Sequence, residues 1–257
     1  MTRPDTEPPS PTLALEGVVA RITLAKPEKH NAIGVDELER MREHLASLEA
    51  DRDVRVLVLT GTGSTFCAGA SLPEIESGEM TGALFETLAD DLATVRVPTI
   101  CALNGSAHGG GTELALCCDF RVGVSGSRIS VPAARLGLCY APGGLRRYVA
   151  ALGLGVASRL LLAGEEIEAD EMLAVGFLHR LVPRKRLEAE TSELALRLAS
   201  LAPLAVQAMK RIVRQAAHGA VDEAEARRLM DACAASADLR EGLAARRERR
   251  DPEFRGV

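Results

Sequence analysis

The sequence predicts an α/β fold with a mainly parallel β-sheet, followed by a helical C-terminal region. Between residues 18 and 124, short apolar runs alternate with stretches whose apolar residues recur at helical spacing, which is typical of strands joined by helices. Beyond about Leu194 only helical patterns remain. The 257 residues suffice for one large domain or a domain with an appendage.

The elements follow in order from the N-terminus. Residues 1–12 are polar and rich in proline, which predicts a disordered leader. Short apolar runs predict four strands, at residues 18–24, 54–60, 97–103 and 120–124. Helical spacing predicts helices at residues 35–51, 82–95 and 114–118, and then at 202–217, 221–235 and 238–249. We therefore expect a core over residues 13–195 and a helical C-terminal region over residues 196–257.

The alanine-rich faces of the last three helices are too narrow to form a core alone. We expect them to pack on the main body or on another subunit.

Composition and charge limit the classes of function that this chain can have. A formal net charge of −5 gives no overall basic field for nucleic acid. No apolar run reaches the length of a membrane span, and the N-terminus has no apolar signal region, so we expect a cytoplasmic protein with no membrane partner. The six cysteines show no C-x-x-C spacing, which favours reduced, buried thiols over disulfides or metal ligands.

Two glycine-rich segments, residues 66–71 and 104–113, each follow an apolar run and lead towards a helical one. Glycine lets a backbone approach a ligand closely, and a helix N-terminus offers unpaired N–H groups. The two segments therefore predict an oxyanion hole built from two amides, one in each loop. The alternative is that both are ordinary turns between a strand and a helix.

An ordered set of motifs between about Leu13 and Gly256 resembles the crotonase superfamily, also called the enoyl-CoA hydratase/isomerase family. The motifs lie at residues 22–32, 56–61, 66–70, 104–113, 132–137, 141–144, 176–183 and 236–254. The resemblance implies a crotonase-like spiral of ββα repeats with a helical C-terminal oligomerisation region. It also implies an acyl-CoA thioester substrate, a homotrimer or dimer of trimers, and no cofactor or metal beyond the coenzyme A of the substrate.

The resemblance assigns roles to particular residues. The backbone N–H groups of Ala70 and Gly110 would bind the thioester oxygen and then the enolate formed from it. The positions implied to bind the rest of the substrate are Lys26, Lys29, Ala68, Ser71, Leu72, Gly109, Ala133 and Gly137. For Lys26 and Lys29 the alternative is two solvated lysines.

Glu113 lies one helical turn beyond Gly110 and matches one of the two glutamates of the hydratases, the one that orients or deprotonates water. Ala133 occupies the position of the other glutamate, so the usual mechanism with two carboxylates is in doubt, and isomerase chemistry that uses the same position is equally in doubt. Tyr140 lies where the family's methylmalonyl-CoA decarboxylases carry a tyrosine, although a packing role is an alternative.

The resemblance implies an enoyl-CoA hydratase/isomerase-type enzyme, a lyase with Glu113 as its single catalytic carboxylate. One alternative is a decarboxylase or thioester hydrolase that uses Tyr140, and another is a protein that binds acyl-CoA without turnover. The arginines at 146–147 and 246–250 have two interpretations, phosphate binding or solvated helix faces. His108 either touches substrate or is a structural histidine.

Overall fold

Two β-sheets built from a repeated ββα unit form the core of the molecule. The computed structural model describes residues 10–257. The strands in this part of the chain are β1 (Thr12–Glu16), β2 (Val19–Leu24), β3 (Val56–Gly61), β4 (Thr65–Cys67), β5 (Thr99–Leu103), β6 (Ser106–His108), β7 (Phe120–Val124), β8 (Arg128–Ser130), β9 (Glu166–Glu168) and β10 (Arg180–Val182).

Ten α-helices and three short 3-10 turns connect the strands described. The helices are α1 (Val35–Ala50), α2 (Leu72–Ser77), α3 (Gly82–Thr94), α4 (Gly110–Cys117), α5 (Pro142–Leu161), α6 (Ala169–Ala174), α7 (Leu187–Ala199), α8 (Pro203–Ala217), α9 (Glu223–Ala235) and α10 (Ala237–Glu248). The 3-10 turns lie at Pro27–Lys29, Pro132–Leu136 and Arg184–Arg186.

The strand order shows how the repeat works. The larger sheet runs β1-β2-β3-β5-β7-β10, and the smaller one runs β4-β6-β8-β9. In each of three successive units, the first strand joins the larger sheet, the second joins the smaller sheet, and helix α3, α4 or α5 closes the unit. The large sheet is parallel apart from the β1–β2 pair. The mainly parallel α/β fold and the ββα repeats are therefore confirmed.

Side-chain alternation along the central strands produces two hydrophobic layers. Leu57 and Leu59 of β3 face the larger core, whereas Val56 and Val58 face a second core that includes Leu194 of α7. Strands covered on both faces read as continuous apolar runs in the sequence. This explains why β2, β3, β5 and β7 could be predicted, whereas β1 and β10 of the same sheet were missed.

The prediction of a disordered leader is wrong for residues 10–12. Residues 1–9, on which most of that prediction falls, lie outside the described residues. Ser10, by contrast, is buried, and its Oγ accepts a hydrogen bond of 2.9 Å from the Ala25 N–H. β1 begins at Thr12 and pairs with β2. The backbone pairing and the Ser10 bond therefore hold residues 10–12 in the folded domain.

Two predicted boundaries also need correction. The helical C-terminal region was expected to start at residue 196, but that position falls inside α7, which packs on the large sheet. The separate helical layer begins instead at Pro203, in α8. Helix α4 starts at Gly110 rather than at residue 114. Its first residues include glycines, which carry no apolar pattern.

Asp119 connects α8 to the large sheet. It lies just before β7 and accepts hydrogen bonds from the Thr99 N–H at 2.8 Å and from Arg214 at 2.7 Å. Lys210 forms a second ion pair with it at 2.8 Å. Burial alone raises the pKa of Asp119, but Lys210 and Arg214 outweigh burial and hold that pKa below its ordinary value. The carboxylate therefore stabilises the docked position of α8.

Asp119→Asn is expected to lower the free energy of unfolding by about 2 kcal/mol at pH 7, because bonds to charged groups are lost. A carboxyl whose pKa is depressed on folding contributes stability above its unfolded pKa, about 3.9, and loses it as pH falls through the folded value. The difference between wild type and variant should therefore shrink below about pH 4. Urea denaturation measures this difference in the free energy of unfolding. Asp53→Asn, at an exposed position, is the control. A difference that stays constant with pH would contradict the account.

None of the helices in the described part of the chain is both long enough and apolar enough to cross a membrane.

Candidate active site

The two glycine-rich loops leave the same edge of the smaller sheet. They follow β4 and β6, which are parallel neighbours with Cys67 paired to Ala107. A Cβ atom at Gly69 would lie 2.7 Å from the Gly110 nitrogen, and the φ of Gly69 is +94°. Only glycine fits at this position. The close approach of the loops brings Ala70 and Gly110 to one cavity.

The first loop is held against the segment that precedes α1. The Ile33 N–H donates to the Gly69 carbonyl, and the Ser71 N–H donates to the Ile33 carbonyl, both at 2.8 Å. The buried side chain of Asn31 donates to the Phe66 carbonyl at 3.1 Å. These bonds bracket Ala70 and fix the direction of its amide.

Two backbone donors in the cavity have no protein acceptor. Among residues 10–257, the N–H groups of Ala70 and Gly110 donate to no protein atom. Gly110 is the first residue of α4, and the first N–H groups of a helix have no partner within the helix. Preorganised amides of this kind stabilise negative charge that develops on a bound oxygen.

Glu113 lies in the first turn of α4 and is buried, as is Arg147 from α5. Arg147 Nη1 donates to Glu113 Oε1 at 2.7 Å, and its Nη2 pairs with Asp90 on α3. Burial raises the pKa of Glu113, while the Arg147 guanidinium opposes that rise. The result is a carboxylate in the cavity wall that is paired, oriented and largely removed from water.

Gly144 makes room for that carboxylate. A Cβ atom at this position in α5 would lie 2.7 Å from Glu113 Oε1, which is closer than nonbonded atoms pack. Any other residue at Gly144 would push the carboxylate away from its position beside Arg147.

We expect Gly144→Ala to lower kcat at least about 10-fold, because a misplacement of about 1 Å can cost 100-fold. The control is Gly155→Ala in the same helix, where an added Cβ would meet nothing within 4 Å. Steady-state kinetics with the acyl-CoA substrate that the sequence resemblance implies measure the effect. Wild-type kcat in the Gly144 variant would mean that the position of Glu113 does not matter.

Tyr140 lines the cavity beside the glycine run. Its hydroxyl lies 3.6 Å from where a Cβ on Gly109 would be. Burial and the neighbouring Glu113 carboxylate raise the pKa of Tyr140 well above its ordinary value. The phenol is therefore a proton-bearing donor throughout the neutral range.

The cavity that these groups share has a volume of about 420 Å³. Its wall contains eight of the residues predicted from the sequence: Ala68, Ala70, Leu72, Gly109, Gly110, Glu113, Ala133 and Tyr140. Ala133 is buried in this wall, so the position at which the resemblance places a second glutamate carries no group that can transfer a proton. Apolar side chains such as Met80 and Phe85 complete the wall.

Four predicted substrate-binding residues do not line the cavity. They are Lys26, Lys29, Ser71 and Gly137. The ammonium group of Lys26 pairs with Glu37, which is the main reason that its pKa is raised. Lys29 is exposed in the first 3-10 turn, Ser71 precedes α2, and Gly137 ends the second 3-10 turn with φ +74°.

The arginine interpretations need a correction at Arg147. Both phosphate binding and a solvated helix face were considered for residues 146–147, but Arg147 is buried and engaged by Glu113 and Asp90. Its neighbour Arg146 is exposed. Nothing within the helix pattern distinguishes the two arginines, because the partner of Arg147 is 34 positions away in the sequence.

Glu86 of α3 also lines the cavity, and sequence reasoning missed it. The one available signal was its place directly after Phe85, on a helix whose buried face includes Phe85, Leu88 and Ala89.

The remaining candidates stay outside the cavity or carry no activated group. His108 Nδ1 lies 2.7 Å from Ser130 Oγ, which is typical of a structural histidine. Burial raises the pKa of the Cys67 thiol to about 12, so it is not a nucleophile. Within residues 10–257, no three His, Cys, Asp or Glu side chains are placed to hold a metal ion.

The chain was compared with known proteins. The profile of the family described as Enoyl-CoA hydratase/isomerase matches residues 15–257. A short-chain-enoyl-CoA hydratase from Clostridium acetobutylicum is 33% identical over 218 residues, 82% of this chain and 84% of the relative. A 2,3-dehydroadipyl-CoA hydratase from Escherichia coli is 33% identical over 243 residues, 93% of this chain and 95% of the relative.

Solved structures show the same likeness. The crystal structure of an enoyl-CoA hydratase from Bacillus anthracis superposes with a TM-score of 0.90 at 29% identity, covering 96% of this chain and 99% of that one. An enoyl-CoA hydratase subunit from Geobacillus kaustophilus gives a TM-score of 0.87 at 34% identity, covering 96% of this chain and 98% of that one. The likeness therefore extends through the core and the C-terminal helices.

Proposed function

This chain belongs to the enoyl-CoA hydratase/isomerase family, and from that premise we propose that it adds water across the double bond of an enoyl-CoA thioester. The observation that carries the proposal is a single cavity containing two unpaired amides and one buried, charge-paired carboxylate. The substrate brings its own coenzyme A, and we propose that no further cofactor or metal takes part.

In the proposed reaction the thioester oxygen accepts hydrogen bonds from the N–H groups of Ala70 and Gly110. Charge moves onto that oxygen when a nucleophile attacks the carbon two positions away, and the fixed amides stabilise the resulting enolate without reorganising. Removing one such donor typically costs about 3 to 4 kcal/mol of transition-state stabilisation. The two amides thus supply the main electrostatic contribution.

Glu113 orients the attacking water and accepts its proton. Burial strengthens it as a base, because a raised pKa increases proton affinity. Arg147 holds one of its oxygens and leaves the other to contact water. The hydroxyl group forms a bond to the carbon of the double bond that is farther from the thioester, while the π electron pair moves into the enolate.

The test is to incubate the purified protein with crotonyl-CoA in ¹⁸O-labelled water and to analyse the CoA products by mass spectrometry. We expect enzyme-dependent label in a 3-hydroxyacyl-CoA. Unchanged crotonyl-CoA, together with no turnover of longer or branched enoyl-CoA thioesters, would contradict hydration. Calorimetric binding of acyl-CoA without turnover would then favour the non-catalytic alternative.

The position of Tyr140 favours a second candidate, decarboxylation of a malonyl-type thioester. Loss of carbon dioxide leaves an enolate that the same amides would stabilise, and the protonated phenol facing the cavity would bind the carboxylate or orient a proton donor. Release of carbon dioxide that weakens in Tyr140→Phe would support this candidate. Hydrolysis of the thioester is a further reaction of the same enolate-binding site, and free coenzyme A would report it.

We also propose that the chain assembles as a homotrimer or a dimer of trimers. Large apolar side chains are exposed on the C-terminal helices, including Met209 and Val213 on α8 and Leu243 on α10. A second copy of the chain would remove them from water. Sedimentation equilibrium measures the mass, and a monomer would contradict this proposal.

A further inference from the structure

Glu86 is a second carboxylate in the cavity. It lies on α3, is partly buried, and follows Phe85, whose ring packs against Gly110 of the oxyanion loop. Among the residues described, Glu86 and Glu113 are the two acidic side chains in the cavity wall. Their charges interact, since Glu86 contributes to raising the pKa of Glu113.

Both carboxylates lie against the first residues of α5. The Gly143 N–H donates to Glu86 Oε1 at 2.8 Å, and a Cβ at Gly143 would lie 2.5 Å from that oxygen. The adjacent Gly144 makes the equivalent room for Glu113. Two successive glycines thus allow two acid groups to approach one helix N-terminus, where the helix dipole favours negative charge.

The two carboxylates differ in their partners. Glu113 is held by the buried guanidinium of Arg147. Among residues 10–257, Glu86 forms no ion pair, and its hydrogen bond to Gly143 uses one oxygen. Its second oxygen has no hydrogen-bond partner in this part of the chain. Glu86 is therefore the carboxyl group in the cavity that is available to serve as an acid towards the substrate.

Hydration needs such an acid because water addition leaves a carbanion equivalent at the carbon beside the thioester. Ala133 cannot supply the proton. The phenol of Tyr140 keeps its proton at neutral pH, because burial raises its pKa, so it cannot take a proton from that carbon in the reverse direction. Glu113 is occupied with the proton taken from water.

We propose that Glu86 is the residue that transfers the proton to and from the carbon beside the thioester, taking the place of the glutamate absent at position 133. This inference rests on the proposed hydration. The water oxygen bonds to the far carbon of the double bond while its proton passes to the Glu113 carboxylate. The π electron pair moves into the enolate and then forms a C–H bond with the proton of the Glu86 carboxyl. Solvent returns a proton from Glu113 to Glu86, so that one water is added overall.

The test separates proton exchange from hydration. Butyryl-CoA has no double bond, so its incubation in D₂O measures exchange at the carbon beside the thioester alone, by mass spectrometry. Hydration of crotonyl-CoA is measured in parallel. The variants are Glu86→Gln, which keeps an oxygen for the Gly143 N–H, and Glu79→Gln, an exposed acid shortly before α3 that does not line the cavity.

For Glu86→Gln we expect deuterium exchange and hydration kcat both to fall at least about 100-fold, the lower range for general acid–base catalysis, with KM little changed. Glu79→Gln should behave as wild type. Exchange within about threefold of wild type in Glu86→Gln would overturn the proposal, and so would a change confined to KM, which would indicate a merely structural hydrogen bond to Gly143.

Glu86→Asp keeps the acid group on a shorter side chain and should recover part of the exchange. If Glu86→Gln failed to fold, Glu86→Asp would carry the test. Deuterium exchange at the full wild-type rate, or exchange not above background, would then count against a role that depends on the length of the side chain. Wild-type protein that exchanges deuterium without hydrating any enoyl-CoA would overturn the hydration proposal but leave the Glu86 comparison decisive. Wild-type protein that neither exchanges deuterium nor hydrates an enoyl-CoA would overturn both the hydration proposal and the proposed role of Glu86.

Discussion

Glu113→Gln is expected to lower kcat for crotonyl-CoA hydration about 1,000-fold, within the range for losing a general base. Glutamine has nearly the same shape and still offers an oxygen to Arg147, but it cannot accept a proton from water at neutral pH. Because the two amides that we propose to bind the thioester oxygen remain in place, the affinity for acyl-CoA should stay close to that of wild type.

The stability of this variant should change little, since Arg147 keeps its second partner, Asp90. Calorimetry with butyryl-CoA and thermal unfolding are the two controls. Turnover near the wild-type rate would show that Glu113 is not the base. Lost binding together with lost turnover would point to a damaged site instead.

Arg147→Met is expected to have the largest effect on stability. It leaves the Glu113 carboxylate buried without a cation, and breaking a buried ion pair in this way typically costs about 3 to 5 kcal/mol. The loss also removes the interaction that opposes the effect of burial on the pKa of Glu113, so that pKa should rise further. The ionised base, and with it activity, should then require higher pH.

Chemical denaturation measures the change, and Arg146→Met is a matched control because that neighbouring side chain is exposed. The double variant Arg147→Met, Glu113→Gln should recover part of the stability, because glutamine carries no charge to leave unpaired. A double variant less stable than Arg147→Met alone would contradict this origin of the loss.

The sequence predicted four of the six strands of the large sheet, β2, β3, β5 and β7, because each is a short, largely apolar run. It missed β1, which is largely exposed, and β10, which is three residues long. The smaller sheet was not predicted, since Thr65–Cys67 and Ser106–His108 are three residues long and overlap the glycine-rich segments. Three residues are too few to display a period. Their pairing nevertheless sets the distance between the two loops.

The candidate site could be predicted only where it depends on residues that are close together in the sequence. The glycine runs and the position of Glu113 one turn beyond Gly110 are local features. The partners Arg147 and Asp90 are separated by 57 positions in the sequence, and Glu86 and Gly143 by the same number. Contacts of that kind arise from the packing of α3, α4 and α5, which periodicity does not reveal.

The ion pair between Arg147 and Asp90 has a consequence for how acyl groups are distinguished. Phe85 and Glu86 face the cavity one turn before Asp90 on the same rigid helix. We expect an acyl chain that presses on Phe85 to displace Asp90 as well and, through the Arg147 guanidinium, to shift Glu113. Substrates whose acyl group fits poorly should therefore bind and yet react slowly, because α3 would transmit the displacement from the acyl group to Glu113 beside the reacting carbons.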